Sequence, residues 1–230
     1  MGCTVTTPPP TDRIRLWDLP TRLFHWALVA LIALQFASGE FGLVPMRWHY
    51  RMGYATLALI VFRVLWGFAG SQTSRFGSFM RGPRAVLRYV VDSLQGRPPH
   101  VRGHNPLGGW SVVLMLVVVA VQTVSGLFAS DDISEEGPFV AHVSDATVAL
   151  MTRIHQIDRY ALLLLIALHV GAVLLHWGIS NDNLVAPMLH GRVRFTGERE
   201  PRFVSSWRAL WLFALSSGAV WALVRWGSAS

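Results

Sequence analysis

Five stretches of this chain are apolar for long enough to cross a lipid bilayer, and no other feature restricts its fold as much. A crossing helix needs about 20 predominantly apolar residues. The runs are Leu23–Val44, His49–Gly67, Gly109–Ala129, Ile154–Trp177 and Trp207–Trp226. Trp26, Trp48, Trp66, Trp110, Trp177, Trp207 and Trp226 fall near their ends, where indole rings favour the headgroup level. Only 14% of the residues are charged, against about 25% in soluble domains, which leaves too little polar surface to dissolve a helical bundle. The expected class is all-α: an integral membrane four-helix bundle plus a fifth C-terminal transmembrane helix.

Charge sets the expected orientation. All 20 basic residues are arginine. Arg13, Arg15 and Arg22 precede the first span; Arg75, Arg81, Arg84, Arg88, Arg97 and Arg102 lie between the second and third; Arg192, Arg194, Arg199 and Arg202 follow the fourth. The segment between the third and fourth spans carries Asp131, Asp132, Glu135, Glu136 and Asp145 against Arg153 alone. Positive charge stays inside. The N-terminus is therefore expected to be cytoplasmic and, after five crossings, the C-terminus outside. Arginines spread along membrane loops give little support to nucleic-acid binding. The single cysteine, Cys3, excludes a disulfide within the chain, and a C-x-x-C-H site for covalent haem is absent. No cleaved signal peptide is evident, since the first thirteen residues are polar and rich in proline.

The chain divides into a disordered cytoplasmic tail at 1–12, a membrane domain at 13–195, and a linker with an accessory span at 196–230. Within the domain, 83–95 is expected to form a helix lying on the inner surface, with Leu87, Val90, Val91 and Leu94 on one face and Arg84, Arg88 and Asp92 on another. Docking of a partner is the alternative role for it.

Histidine is costly at membrane depth, yet His155 and His169 bracket a run of leucines. Fourteen residues of helix return the chain to within about 40° of the same face and advance it about 21 Å. The two histidines thus share a face near opposite leaflets and serve separate sites. Depth supplies their partners: His25, at the cytoplasmic start of the first span, matches His169, and His49, at the outer start of the second, matches His155. Two imidazoles without a thiolate cluster or carboxylate do not make a four-coordinate structural zinc site. Bis-imidazole ligation of haem fits, filling both axial positions in favour of electron transfer over oxygen binding.

The segments "RLFHWAL", "HYRMGYATLALIVFRVLWGF", "RGPRAVLRY", "GHNPLGGW" and "IHQIDRYALLLLIALHVGAVLLHW", in this order over about 13–195, resemble the bacterial cytochrome b561 family, which is grouped with the b-type cytochrome subunits of nickel–iron hydrogenases. The resemblance implies a four-helix core holding two non-covalent b haems across the membrane. The family's ligands map onto His25, His49, His155 and His169. The fifth helix departs from four-helix members and is either an accessory span or a partner-docking helix.

Other polar residues near these levels have two readings each. His176, on the face of His169, is a rival inner ligand, a propionate or quinone contact, or an interfacial histidine. Arg63 either snorkels to the inner surface or pairs with a propionate of the inner haem. Arg159, one turn from His155, either pairs with an outer propionate or anchors at the surface. His104 contacts a quinone or propionate, or only forms a His-Asn-Pro turn. Gly53, Gly126 and Gly171 permit close approach of a macrocycle or another helix. Two functions follow. In the first, the chain is the electron-carrying anchor subunit of a respiratory complex, passing electrons between the quinone pool and a periplasmic redox partner. In the second, it is a stand-alone quinone oxidoreductase that oxidises quinol or a small diffusible partner such as superoxide.

Overall fold

A computed structural model describes residues 12–95, 103–131, 136–180, 183–195 and 200–229. The tail at 1–11 and most of the turn-rich linker, at 96–102, lie outside the described residues, as do 132–135 of the acidic segment and 196–199 of the second linker. Five helices are long and apolar enough to cross a membrane: α1 (Leu19–Gly39), α2 (Met46–Ala69), α5 (Pro106–Gly126), α6 (Asp145–Ser180) and α8 (Ser206–Gly227). Shorter helices α3 (Phe76–Phe79), α4 (Pro83–Leu94) and α7 (Val185–His190) lie at the end of the bundle where the arginines collect. The protein is an all-α multi-pass membrane bundle.

The helix limits differ from the apolar runs because local polar groups set them. Asp18 caps α1 by accepting from the Thr21 N–H at 2.9 Å, and Pro20 sits in the first turn, so α1 begins four residues before its apolar run. It ends at Gly39, where the chain turns through Gly42 at φ +61°. Asn105 caps α5 by accepting from the Gly108 N–H at 2.7 Å, so the His-Asn-Pro turn is a helix start. α6 begins nine residues before its apolar run, behind Ser144, whose carbonyl accepts from Thr147 N at 2.8 Å. With 36 residues it is about 54 Å long, longer than a bilayer core, and the last nine residues of the expected acidic loop are helical.

α1 packs on α2, α6 on α5, and α2 on α5, while α6 stands away from α1 and α2. A gap is left between the two pairs. α2 is the central element: Thr56–Ile60, Phe62, Arg63, Trp66 and Gly67 are buried. α8 closes its far side, with Ala209, Ser216 and Val220 buried and Phe213 against Phe62 at 6.0 Å between ring centres. Beyond the end of α5, Pro138 and Phe139 sit so close to Gly227 that a Cβ there would lie 2.9 Å from each.

At the arginine-rich end, β1 (Asp12–Arg15) pairs antiparallel with β2 (Arg192–Phe195), in the register Arg13↔Arg194 and Arg15↔Arg192. This pair falls at the two ends of the expected membrane domain, beside the tail and the linker. α4 forms as expected, with Arg84, Leu87, Arg88 and Val91 exposed. Tyr89 turns the other way, accepting from Asn105 Nδ2 at 2.8 Å.

Candidate haem sites

The gap between the helix pairs carries the four histidines at two levels. At the acidic end a cavity of about 260 Å³ is lined from all four helices: Gln35, Gly39 and Glu40 of α1, His49 and Gly53 of α2, Gln122 and Gly126 of α5, and His155 and Arg159 of α6. His49 and His155 face each other with ring centres 6.3 Å apart and planes at 76°. Two imidazoles on opposite sides of one first-row metal ion, each bonded at about 2 Å, have ring centres about 6 Å apart. The observed separation fits an iron between them.

The ring of His155 is already oriented. Its Nδ1 lies 2.9 Å from the Gln122 carbonyl, so Nδ1 carries the proton and donates, leaving the Nε2 lone pair for a metal. A carbonyl behind a metal-binding imidazole fixes tautomer and direction in this way. Ser125 Oγ at 3.3 Å from Nδ1 adds to it; the Gln122 side-chain amide donates to Nε2 at 3.2 Å and has to swing aside for a metal to bind there. The helix backbones come close to both rings. A Cβ on Gly126 would lie 3.0 Å from His155 Cε1, and one on Gly39 would lie 3.3 Å from His49 Cε1. Gly126 therefore serves close approach, whereas a Cβ on Gly171 would meet open space.

Arg159 lies at the rim, ion-paired with Glu40, donating to Tyr160 Oη at 2.7 Å. Where sequence suggests an outer propionate or surface anchoring, the structure pairs Arg159 with Glu40, the residue that follows α1. Gln35, Glu40, Thr56 and Gln122 are site residues that sequence analysis misses. Gln35 Nε2 donates to Thr56 Oγ1 at 2.9 Å, a polar pair within apolar spans. Such polar groups at membrane depth are themselves a signal of a lined cavity.

At the basic end His25 and His169 lie within electrostatic reach of one another, and Arg63 is joined to His104 through Phe76 and Phe79, with successive centres 5.1, 5.8 and 4.9 Å apart. The three histidines and Arg63 come from α1, α6, the turn before α5, and α2. His25 Nδ1, His104 Nδ1 and Arg63 NH1 are buried with no hydrogen-bond partner among the described residues. His104 is wedged between Trp17 and Phe79, with ring centres 4.9 Å from each. Burial, then the charges of Arg63 and His169, push its pKa down to about 4, so the ring is neutral at pH 7. His176 lies seven residues beyond His169 and is partly buried.

At the acidic level the paired imidazoles, the glycines beside the rings and the cavity between them are a set that fits haem; at the basic level the buried unpartnered nitrogens of His25, His104 and Arg63 are what the structure shows. Among the described residues no group of three or more His, Cys, Asp or Glu could hold a bare metal ion. A family model described as prokaryotic cytochrome b561 matches residues 16–191. No curated protein and no solved structure matches the chain.

Proposed function

Because the chain belongs to the prokaryotic cytochrome b561 family, and is thereby a membrane b-type cytochrome of electron transfer, we propose that it holds two b haems in series. His49 and His155 are the axial ligands at the acidic level, His25 and His169 those at the basic level. The observation that supports this reading is the 6.3 Å separation of the His49 and His155 ring centres across the cavity, with their planes at 76°, and the same helical face of α6 returning fourteen residues later at His169. When bound, haem supplies a reversible one-electron iron centre. The chain's own residues hold and orient it: imidazoles fill both axial positions, which disfavours oxygen binding, and the Gln122 carbonyl keeps His155 Nε2 directed inward.

The two levels make a path for single electrons across the bilayer, between the quinone pool and a redox partner on the acidic side. We favour the carrier and anchor subunit of a respiratory complex over a stand-alone quinone oxidoreductase, because the acidic segment and α8 leave surfaces for a partner. The purified chain is expected to bind two b haems. Slow haem reduction by quinol, restored when proteins from the native membrane are added back, supports the carrier; full reduction by quinol in the chain alone supports the oxidoreductase.

The orientation follows from charge. Arg15, Arg22, Arg75, Arg81, Arg84, Arg88, Arg192 and Arg202 all lie at one end, while Arg47, Arg51 and Arg153 accompany Asp131, Glu136 and Asp145 at the other. By the positive-inside bias the first end is cytoplasmic in a bacterial inner membrane. A reporter fused at Glu136 is expected to be active in the periplasm and one fused at Arg97 in the cytoplasm. The opposite pattern inverts both haem levels.

A further inference from the structure

Arg63 is 3% exposed, so it does not snorkel to the surface. The face of Phe76 lies against its guanidinium, 5.1 Å from guanidinium carbon to ring centre. NH1 is buried with no acceptor. A guanidinium keeps its charge at every physiological pH, and burial without an anion is strongly unfavourable. Asp18 is an acid whose charge reaches it. That carboxylate is already occupied: Oδ1 accepts from Thr21 N at 2.9 Å and Oδ2 from Ser74 Oγ at 3.3 Å. Arg63 is therefore a cation set up for an anion from outside the chain.

Its position gives the direction. Arg63 follows His49 on α2 by fourteen residues, the interval that separates His155 from His169 on α6. Both helices thus return the same face at the second level. The face of α2 that supplies an imidazole to the gap at the acidic end supplies a cation to it at the basic end. His104 is joined to Arg63 through Phe79 and Phe76, with successive centres 4.9, 5.8 and 5.1 Å apart, and brings a second unpartnered buried nitrogen, Nδ1, held in place by Trp17 and Phe79.

We infer that Arg63 and His104 form a clamp for a carboxylate at the basic level, and that this carboxylate is a propionate of the haem held by His25 and His169. The inference rests on that haem reading. A planar fork suits a carboxylate in two-point contact, and a neutral imidazole adds one donated hydrogen bond. Any anion of similar size, such as a lipid headgroup, shares part of this chemistry, so the test separates the two.

The test follows haem loss from the intact protein in detergent, with apomyoglobin as trap, for the component assigned to the basic level by its disappearance in His25→Ala. Arg63→Gln is expected to speed loss of that component about ten- to hundredfold, the scale of one charge-assisted hydrogen-bonded contact, and to leave the other unchanged. Arg63→Lys keeps the charge without the fork and should fall between; it carries the comparison if the glutamine variant does not accumulate. In protein loaded with haem dimethyl ester the carboxylates are gone, and wild type and Arg63→Gln should lose haem equally fast. An Arg63→Gln effect that persists with the ester means that the anion is not a propionate and overturns the clamp, as does unchanged loss with ordinary haem. The underlying reading fails differently: if wild type has no component sensitive to both His25→Ala and His169→Ala, there is no basic-level haem and the clamp falls with it.

Discussion

Purified His49→Ala and His155→Ala variants are expected to lose the same low-spin haem component and to retain the other. Each ring faces the other across 6.3 Å, and an iron between them keeps its six-coordinate, low-spin state only while both imidazoles bind. The double variant is expected to carry about half the haem of wild type, because the second bis-histidine level is untouched. His155→Ala should be the more damaging single change, since it also leaves the Gln122 carbonyl without its ring partner at 2.9 Å. Optical and electron paramagnetic resonance spectra of the reduced and oxidised variants check this. Loss of different components by the two variants overturns the pairing.

The spans were legible because lipid imposes one rule on every crossing segment: enough apolar residues in sequence. Their ends were not, because the ends obey local hydrogen bonding. Asp18, Asn105 and Ser144 are polar, fall outside the apolar runs, and yet start α1, α5 and α6. The β1–β2 pair was hidden for another reason. Arg192–Phe195 does alternate polar and apolar residues, but four-residue strands are too short for that pattern to mark them, and only the return of the chain after α6 brings Arg192–Phe195 beside Asp12–Arg15. The packing of α8 on α2 through Phe213, Ser216 and Val220 was likewise unreadable. In lipid an apolar helix face gains little from leaving its solvent, and packing selects neighbours by shape, which a single sequence does not display.

The site divides along the same line. Depth is one-dimensional and follows from helical rise, so the matching of His49 with His155 could be derived from orientation and residue count alone. Azimuth is not: whether α5 turns Gln122 and Gly126 toward His155 depends on how α5 and α6 pack. The same holds for Arg63. Counted from the end of α2 it reads as a snorkelling arginine, but α3 and its Phe76 cover that end and bury it.

The second large effect is expected at the basic level, where two histidines on one face of α6 compete. His176 follows His169 by seven residues, which changes its bearing by only about 20° but carries it about 10 Å further along the axis. Only one can match the depth of His25. Charge coupling connects His169 with both His25 and His104, whereas His176 stands four residues from the end of α6, beside Trp177, which is 44% exposed. His169→Ala should therefore remove the component that His25→Ala removes, and the double variant should keep only the spectrum of the His49–His155 level. His176→Ala should retain both low-spin components, since it leaves all four proposed ligands in place. The reverse outcome, in which His176→Ala abolishes the basic-level signal while His169→Ala spares it, would move the iron about two turns of α6 toward the membrane surface. That displacement would separate it from His25 and from the Arg63–His104 pair, so a single spectrum of each variant decides whether the ligands and the buried cation belong to one site.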